Sequence, residues 1–207
     1  PLDLDAELLF IEDLVQVSTR ARLTAWCRAR WMPQRWLQRQ LGLDQVQPDD
    51  VMSVIFTSGS TGVPKGVMLS HDNIASNMES VRQLLQLKSD DALIGVLPFF
   101  HSFGFTVSMW LPLCAPPAAV YHVNPLDSRT IGTLVQEHRA TILMATPTFL
   151  RAYTKRCTPE QFQSLNMVIV GAEKLPEDVR QAFLDKYGLE PSEGYGATEL
   201  SPIAAVN

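Results

Sequence analysis

Between Thr57 and Gly66 the sequence reads Thr-Ser-Gly-Ser-Thr-Gly-Val-Pro-Lys-Gly, with three glycines, four hydroxyl side chains, one lysine and no acid. Glycine admits positive φ and lets a ligand approach the backbone closely. N–H groups freed in this way form an anion-binding concavity with Ser and Thr hydroxyls, and a lysine adds a compact positive charge. Thr57, Ser58, Gly59, Ser60, Thr61, Gly62 and Lys65 are therefore candidates to hold phosphate. A flexible Gly/Ser linker has a similar composition, but here apolar runs stand close on both sides. A Walker A loop, G-x-x-x-x-G-K-[ST], does not fit. Gly59 and Gly62 are too close together, Pro64 precedes Lys65, and Gly66 stands where a magnesium-binding Ser or Thr belongs.

Three further stretches place polar groups at the ends of apolar runs. In Glu193-Gly194-Tyr195-Gly196-Ala197-Thr198-Glu199, the glycines permit close backbone approach and Tyr195 offers a π-face to a base. Thr198 adds a hydroxyl, and Glu199 a hard oxygen ligand for Mg²⁺. Taken alone, this stretch also reads as an ordinary turn. In Leu97-Pro98-Phe99-Phe100-His101-Ser102-Phe103-Gly104, one His stands among aromatics. A His in apolar company is more often a satisfied core residue than a catalyst, yet at a strand end after Pro98 it also suits a pocket entrance. Gly171-Ala172-Glu173-Lys174-Leu175 reads by itself as a strand-to-helix turn with Glu173 and Lys174 solvated.

These stretches need elements to position them. Val51–Phe56 is a continuous apolar run, read as a buried strand. Val67–Leu69 is a second short strand, and Ser70 is the N-cap of a helix from His71 to about Leu87. Strands follow at Leu93–Leu97, Ala118–His122, Thr141–Ala145 and Met167–Val170. Helices are predicted over about Phe103–Cys114, Ser128–Arg139, from Pro147, and from Pro176 to about Tyr187. The strands at 93–97 and 118–122 lack alternation, which predicts burial on both faces. Repeated strand–helix alternation predicts an α/β fold with a doubly wound, mostly parallel sheet. Ligands of such sheets bind beyond the carboxyl ends of the strands, so the strand-end loops are expected to converge on one crevice.

The motifs together resemble the adenylate-forming (AMP-binding) enzymes, the family of acyl-CoA synthetases, luciferases and peptide-synthetase adenylation domains. TSGSTGVPKG is similar to the family's phosphate-loop signature, and YGATE follows in the family's order. The resemblance implies ATP and Mg²⁺ as cofactors. It also implies activation of a carboxylic acid as an acyl-adenylate, with transfer to the pantetheine thiol of coenzyme A or acyl carrier protein. By the same resemblance Gly171, Ala172 and Glu173 lie along adenine, Tyr195 and Gly196 beside it, Thr198 on the α-phosphate and Glu199 on magnesium. Lys65, Thr198 and Glu199 then carry the chemistry, while His101, Phe103 and Gly196 border the acid. Relatives that activate amino acids place an Asp near Phe99–Phe103; its absence implies an apolar, fatty acid. Through GAEKLPEDV and EGYGATELSP the chain is similar to the acyl-activating half of the bifunctional 2-acylglycerophosphoethanolamine acyltransferase/acyl-[acyl-carrier-protein] synthetases. The family's ribose-binding Asp and its mobile lid with a catalytic Lys are expected beyond residue 207, so the chain reads as part of the large N-terminal domain, incomplete for catalysis. The organisation expected is 1–50 as an acidic start and Arg/Trp-rich connector, 51–92 as phosphate-loop hairpin and helix, and 93–207 as the α/β subdomain for nucleotide and acyl group.

Composition bounds the partners. With 46% apolar and 19% charged residues among 207, the chain is a folded globular type, and a net charge of −5 gives no reason to expect nucleic acid. Cys27, Cys114 and Cys157 are far apart and form no CxxC. They read as structural thiols in a reducing, cytoplasmic setting, neither a disulfide framework nor a zinc site. Ala92–Leu126 is uncharged and long enough to span a bilayer, but five prolines break it. Residues 1–13 carry five acids, and residues 14–43 carry six arginines and no acid, with Trp26, Trp31 and Trp36 interleaved. One reading is a helix docked peripherally on a membrane or an acidic partner. The other is a connector whose tryptophans dock on its own protein, favoured because tryptophans five apart share no helical stripe. A rival function class accompanies the first reading: a nucleotide-binding or membrane-docking module without catalysis.

Overall fold

The computed structural model describes residues 17–58 and 62–207. Gly59, Ser60 and Thr61 of the glycine-rich loop and the acidic start at 1–13 lie outside the described residues. The chain divides into two units between Gln47 and Pro48.

In the first unit, Ser18 caps α1 (Thr19–Trp31) by accepting from the Ala21 N–H, and α2 (Gln34–Gln40) follows Pro33. Neither helix buries a residue. Trp26, Trp31 and Trp36 are 57%, 68% and 69% exposed. The indoles of Trp26 and Trp31 meet edge to face, with centroids 5.4 Å apart. Among the described residues no helix is long and apolar enough to cross a membrane.

The second unit opens with an antiparallel hairpin, β1 (Val51–Ser58) and β2 (Pro64–Ser70), whose register pairs Thr57 with Lys65 and Ser58 with Pro64. Ser70 then caps α3 (His71–Leu84) through a full capping box: its Oγ accepts from the Asn73 N–H, and Asn73 Oδ1 accepts from the Ser70 N–H. After α3 come β3 (Ala92–Gly95), a π-helical segment (Gly104–Trp110) leading into α4 (Leu111–Cys114), and β4 (Ala118–Tyr121). Then follow α5 (Ser128–Glu137), β5 (Ile142–Ala145), α6 (Pro147–Arg156), α7 (Pro159–Phe162) and β6 (Met167–Val170). The unit continues with α8 (Glu177–Tyr187), β7 (Ser192–Gly196), a 3₁₀ turn (Thr198–Leu200) and β8 (Ile203–Val206).

The six-stranded sheet runs β4-β3-β5-β6-β7-β8, parallel throughout except for β8 against β7. The inner strands β3, β5 and β6 are short apolar runs because both their faces are covered, and successive side chains go to opposite sides. Ile94, Leu143, Val168 and Val170 join Ile131, Val135, Leu150, Tyr153, Phe162 and Phe183 in one core layer. Leu93, Ile142, Met144 and Ile169 join Ile74, Met78, Val81, Val107 and Leu111 in the other. Counted from β3, the order is the flavodoxin-like 2-1-3-4-5.

Two burial expectations are corrected. In β1 only Ile55 is buried, while Val51, Val54 and Phe56 are 55%, 47% and 74% exposed, because a two-stranded sheet turns a single face to the core. The strand at 118–122 is an edge with β3 on one side only, and Tyr121 is 46% exposed. Helix α3 ends at Leu84, short of Leu87, where Gln86 takes a positive φ. Strand β7, where the sequence reading has a strand-end loop, the antiparallel β8 and the short α7 are additions to the elements the sequence pattern predicts.

Candidate active site

Three segments meet beyond the carboxyl ends of β6 and β7, in a cavity of about 140 Å³. His101, Ser102 and Phe103 supply one wall, Gly171 and Ala172 a second, and Gly194 to Thr198 a third. Pro202 and Ile203 close it.

The third wall is shaped by a backward turn. Gly196 has no room for a side chain, since a Cβ there would lie 2.1 Å from the Pro202 carbonyl oxygen. The Ala197 N–H donates to that same oxygen, and Ser201, at φ +73°, reverses the chain after the 3₁₀ turn. Thr198 is thereby drawn inward to 8% exposure, while Tyr195, 69% exposed, leaves its ring open. The Glu199 carboxylate is exposed and makes no hydrogen bond or ion pair among the described residues. No cluster of three His, Cys, Asp or Glu able to hold a metal forms among the described residues.

The second wall is the turn after β6. The Gly171 N–H donates to the Ala145 carbonyl, and Ala172 stands at φ +69°, a left-handed conformation that costs a non-glycine residue on the order of 1 kcal/mol. Glu193 holds the turn from β7 by accepting from the Leu175 N–H at 3.0 Å. Glu173 and Lys174 border an adjoining, more open hollow of about 510 Å³ that also touches Tyr195 and Gly196.

The first wall follows β3. Gly104 is forced: a Cβ there would lie 2.1 Å from the Pro98 carbonyl oxygen. The His101 N–H donates to Pro98 and the Phe105 N–H to His101, so the loop winds directly into the π-helical segment. Nδ1 of His101 accepts from the Phe103 N–H at 3.2 Å, which places the ring's own N–H on Nε2. Two bonds tie this wall to the third: Ser102 Oγ to Thr198 Oγ1 at 3.0 Å, and the Thr106 hydroxyl donating to the Ser201 carbonyl at 3.4 Å.

The hairpin stands outside the cavity. Thr57 is half-buried, Ser58, Gly62 and Lys65 are exposed, and Gly62 takes φ +79°. Its strand β2 packs against the 198–200 turn. Asn77 of α3 grips the same region: its Nδ2 donates to the Ile203 carbonyl at 2.7 Å and the Leu200 carbonyl at 3.4 Å, and its Oδ1 accepts from the Ile203 N–H at 3.3 Å. Sequence reasoning missed Asn77, Ser102, Thr106 and Pro202 as builders of this site. Each acts across a long sequence separation on a partner that no local pattern names; the signal within reach was Gly104, a glycine six residues after Pro98 in an aromatic-rich run.

The family of AMP-binding enzymes matches residues 7–207. 4-Coumarate–CoA ligase 3 of Oryza sativa subsp. japonica is 32% identical over 168 residues, 78% of this chain and 30% of the relative. Feruloyl-CoA synthase of an Amycolatopsis species is 32% identical over 156 residues, 74% of this chain and 31% of the relative. Among solved structures, ATP-bound MatB from Rhodopseudomonas palustris superposes with a TM-score of 0.70 at 34% identity, covering 78% of this chain and 32% of that one. The chain thus spans about 30% of the length of the curated relatives it matches.

Proposed function

This chain belongs to the AMP-binding enzyme family, and on that premise we propose that it supplies the nucleotide- and acid-binding face of an AMP-forming acid–thiol ligase. A carboxylate oxygen attacks the α-phosphorus of ATP, the bond from Pα to the bridging oxygen breaks, and pyrophosphate leaves. A pantetheine thiolate then attacks the acyl carbonyl, and AMP leaves with the electron pair of the broken C–O bond. The observation that carries this reading is the meeting of His101–Phe103, Gly171–Ala172 and Gly194–Thr198 around one cavity at the carboxyl end of a parallel sheet.

In this reading Thr57, Ser58, Gly62 and Lys65, with Gly59, Ser60 and Thr61 between them, hold the β- and γ-phosphates. Gly171, Ala172 and Glu173 run along adenine, Tyr195 and Gly196 flank it, and Thr198 donates to the α-phosphate. The Glu199 carboxylate, exposed and without a partner among the described residues, suits Mg²⁺, which takes one or two carboxylates and completes its octahedron with phosphate oxygens and water. Bound there, Mg²⁺ would offset negative charge near the α-phosphate. The protein's own contribution is positioning: reaction between held groups avoids the entropy of bringing them together.

For the acid we propose an apolar carboxylate, a fatty acid first, bordered by His101, Phe103 and Gly196. The support is that Phe99–Phe103 offers no carboxylate to a substrate ammonium. Relatives named for 4-coumarate and feruloyl-CoA make an aromatic acid the second candidate. For the acceptor we propose the pantetheine of coenzyme A or acyl carrier protein; GAEKLPEDV and EGYGATELSP support the carrier protein.

The test is exchange of labelled pyrophosphate into ATP by the whole gene product, with dodecanoate, hexadecanoate, 4-coumarate and alanine offered separately. Exchange with a fatty acid, AMP as product and none with alanine is the expected result. ADP as product, or ATP binding without exchange for any acid, overturns the ligase reading. Thioester formation with coenzyme A against holo acyl carrier protein then separates the acceptors.

A further inference from the structure

Ser102 and Thr198 reach each other across 96 residues of sequence, with Oγ and Oγ1 3.0 Å apart. Ser102 is 1% exposed and Thr198 8%, and both line the cavity. Two hydroxyls joined by a single hydrogen bond share one proton and leave the other free. If Thr198 donated, the Ser102 proton would be left with no acceptor among the described residues in the more tightly sealed position, and an unmade buried bond is costly. If Ser102 donates, the free proton is that of Thr198, the more open of the two. The second arrangement is favoured, and it aims a donor into the cavity.

We propose that Ser102 is a positioning residue for Thr198. It donates to Thr198 Oγ1 and so commits the Thr198 O–H to a phosphoryl oxygen. This rests on the proposed role of Thr198 at the α-phosphate. A hydroxyl that accepts one hydrogen bond becomes a better donor in the next, and the gain grows as negative charge develops on its acceptor. The effect is therefore felt more in the transition state than in bound ATP, and appears in kcat before KM. The backbone fixes Ser102 for this task. Gly104 lies against the Pro98 carbonyl, the Phe105 N–H donates to His101, and Thr106 reaches Ser201 on the far side of the Thr198 turn.

The experiment compares Ser102→Thr with Ser102→Val, nearly identical in shape and different in one hydroxyl, each in the wild-type and Thr198→Val backgrounds. The readout is pyrophosphate exchange by the whole gene product, with the fastest acid of the four named above. Thr198→Val alone is expected to lose about 100-fold. With Thr198 intact, Ser102→Val is expected to fall about tenfold below Ser102→Thr in kcat, with KM for ATP within about twofold. On Thr198→Val the gap between them closes. Equal rates for Ser102→Thr and Ser102→Val, or a gap that persists on Thr198→Val, overturns the positioning role and leaves the role of Thr198 standing. Thr198→Val at the wild-type rate overturns both. No exchange by the wild type with any acid defeats the proposed function, and this inference with it.

Discussion

A carboxylate at the tip of a three-residue turn is held by whatever its turn provides, and Glu199 finds no partner among the described residues. In the proposed function that carboxylate is the one that meets Mg²⁺. Glu199→Gln keeps the shape and removes the charge, so kcat for pyrophosphate exchange is expected to fall about 100-fold or more, with KM for ATP within about threefold. Equal exchange by variant and wild type would remove Glu199 from the chemistry. Cys157 is the opposite kind of residue, sealed at 1% exposure with its thiol donating to the Ser128 carbonyl. Burial pushes that thiol up to about 11, against a smaller opposing pull from Lys186. Between about pH 9 and 11 the unfolded chain gives up this proton while the folded chain keeps it, so stability is lost as pH rises through that window, by roughly 2–3 kcal/mol. Burial also raises Tyr153 and Tyr187, which extends the loss to higher pH. Urea midpoints taken from pH 7 to 11 should fall, and Cys157→Ala should flatten the slope between pH 9 and 11.

At the scale of elements, helix starts were legible and irregular helix was not. Ser70 with Asn73, and Pro147 after Thr146, announce their helices by capping chemistry that works within three residues. The π-helical segment at Gly104–Trp110 is written nowhere in local periodicity; it follows from Gly104 lying against Pro98, a contact made only once the chain has bent. Gly104→Ala should therefore destabilise the protein by about 2–3 kcal/mol, since the atom met is backbone and cannot rotate away. Urea unfolding measures it, and a loss under 0.5 kcal/mol, the scale of an ordinary surface change, would contradict the close approach. Asn77→Leu keeps the size of a side chain that serves the Leu200 and Ile203 carbonyls and the Ile203 N–H. Its expected cost is about 1–3 kcal/mol, with faster hydrogen exchange at the Ile203 amide as the local sign.

Across the whole second unit, the parallel sheet was legible because strands covered on both sides must be continuous apolar runs, and 142–145 and 167–170 are. The same logic misjudged β1 and β4, since an apolar run records what a strand is made of and not how many neighbours it has. Native-state hydrogen exchange should rank the strands by position: β5 and β6 slowest, the edge β4 and the hairpin strand β1 faster by at least about tenfold. Uniform protection would argue against this layering. Within the candidate site, the glycines, Tyr195, Thr198 and Glu199 could be picked out by residue type. The clamps that hold them could not, because Asn77 and Ser102 are separated from their partners by 126 and 96 residues. The Asn77 clamp also has a mechanical meaning. Helix α3 is a stiff rod joined at Ser70 to the hairpin that precedes it, and seven residues on, about 10 Å along its axis, Asn77 bonds Leu200 at the end of the turn bearing Thr198 and Glu199, and Ile203 just after it. Tilting that rod by ten degrees about its hairpin end carries the turn some 2 Å, roughly the difference between a hydrogen bond made and one lost. Hairpin and turn are thus held at a fixed distance by one rigid helix, and any shift of that helix is shared by both.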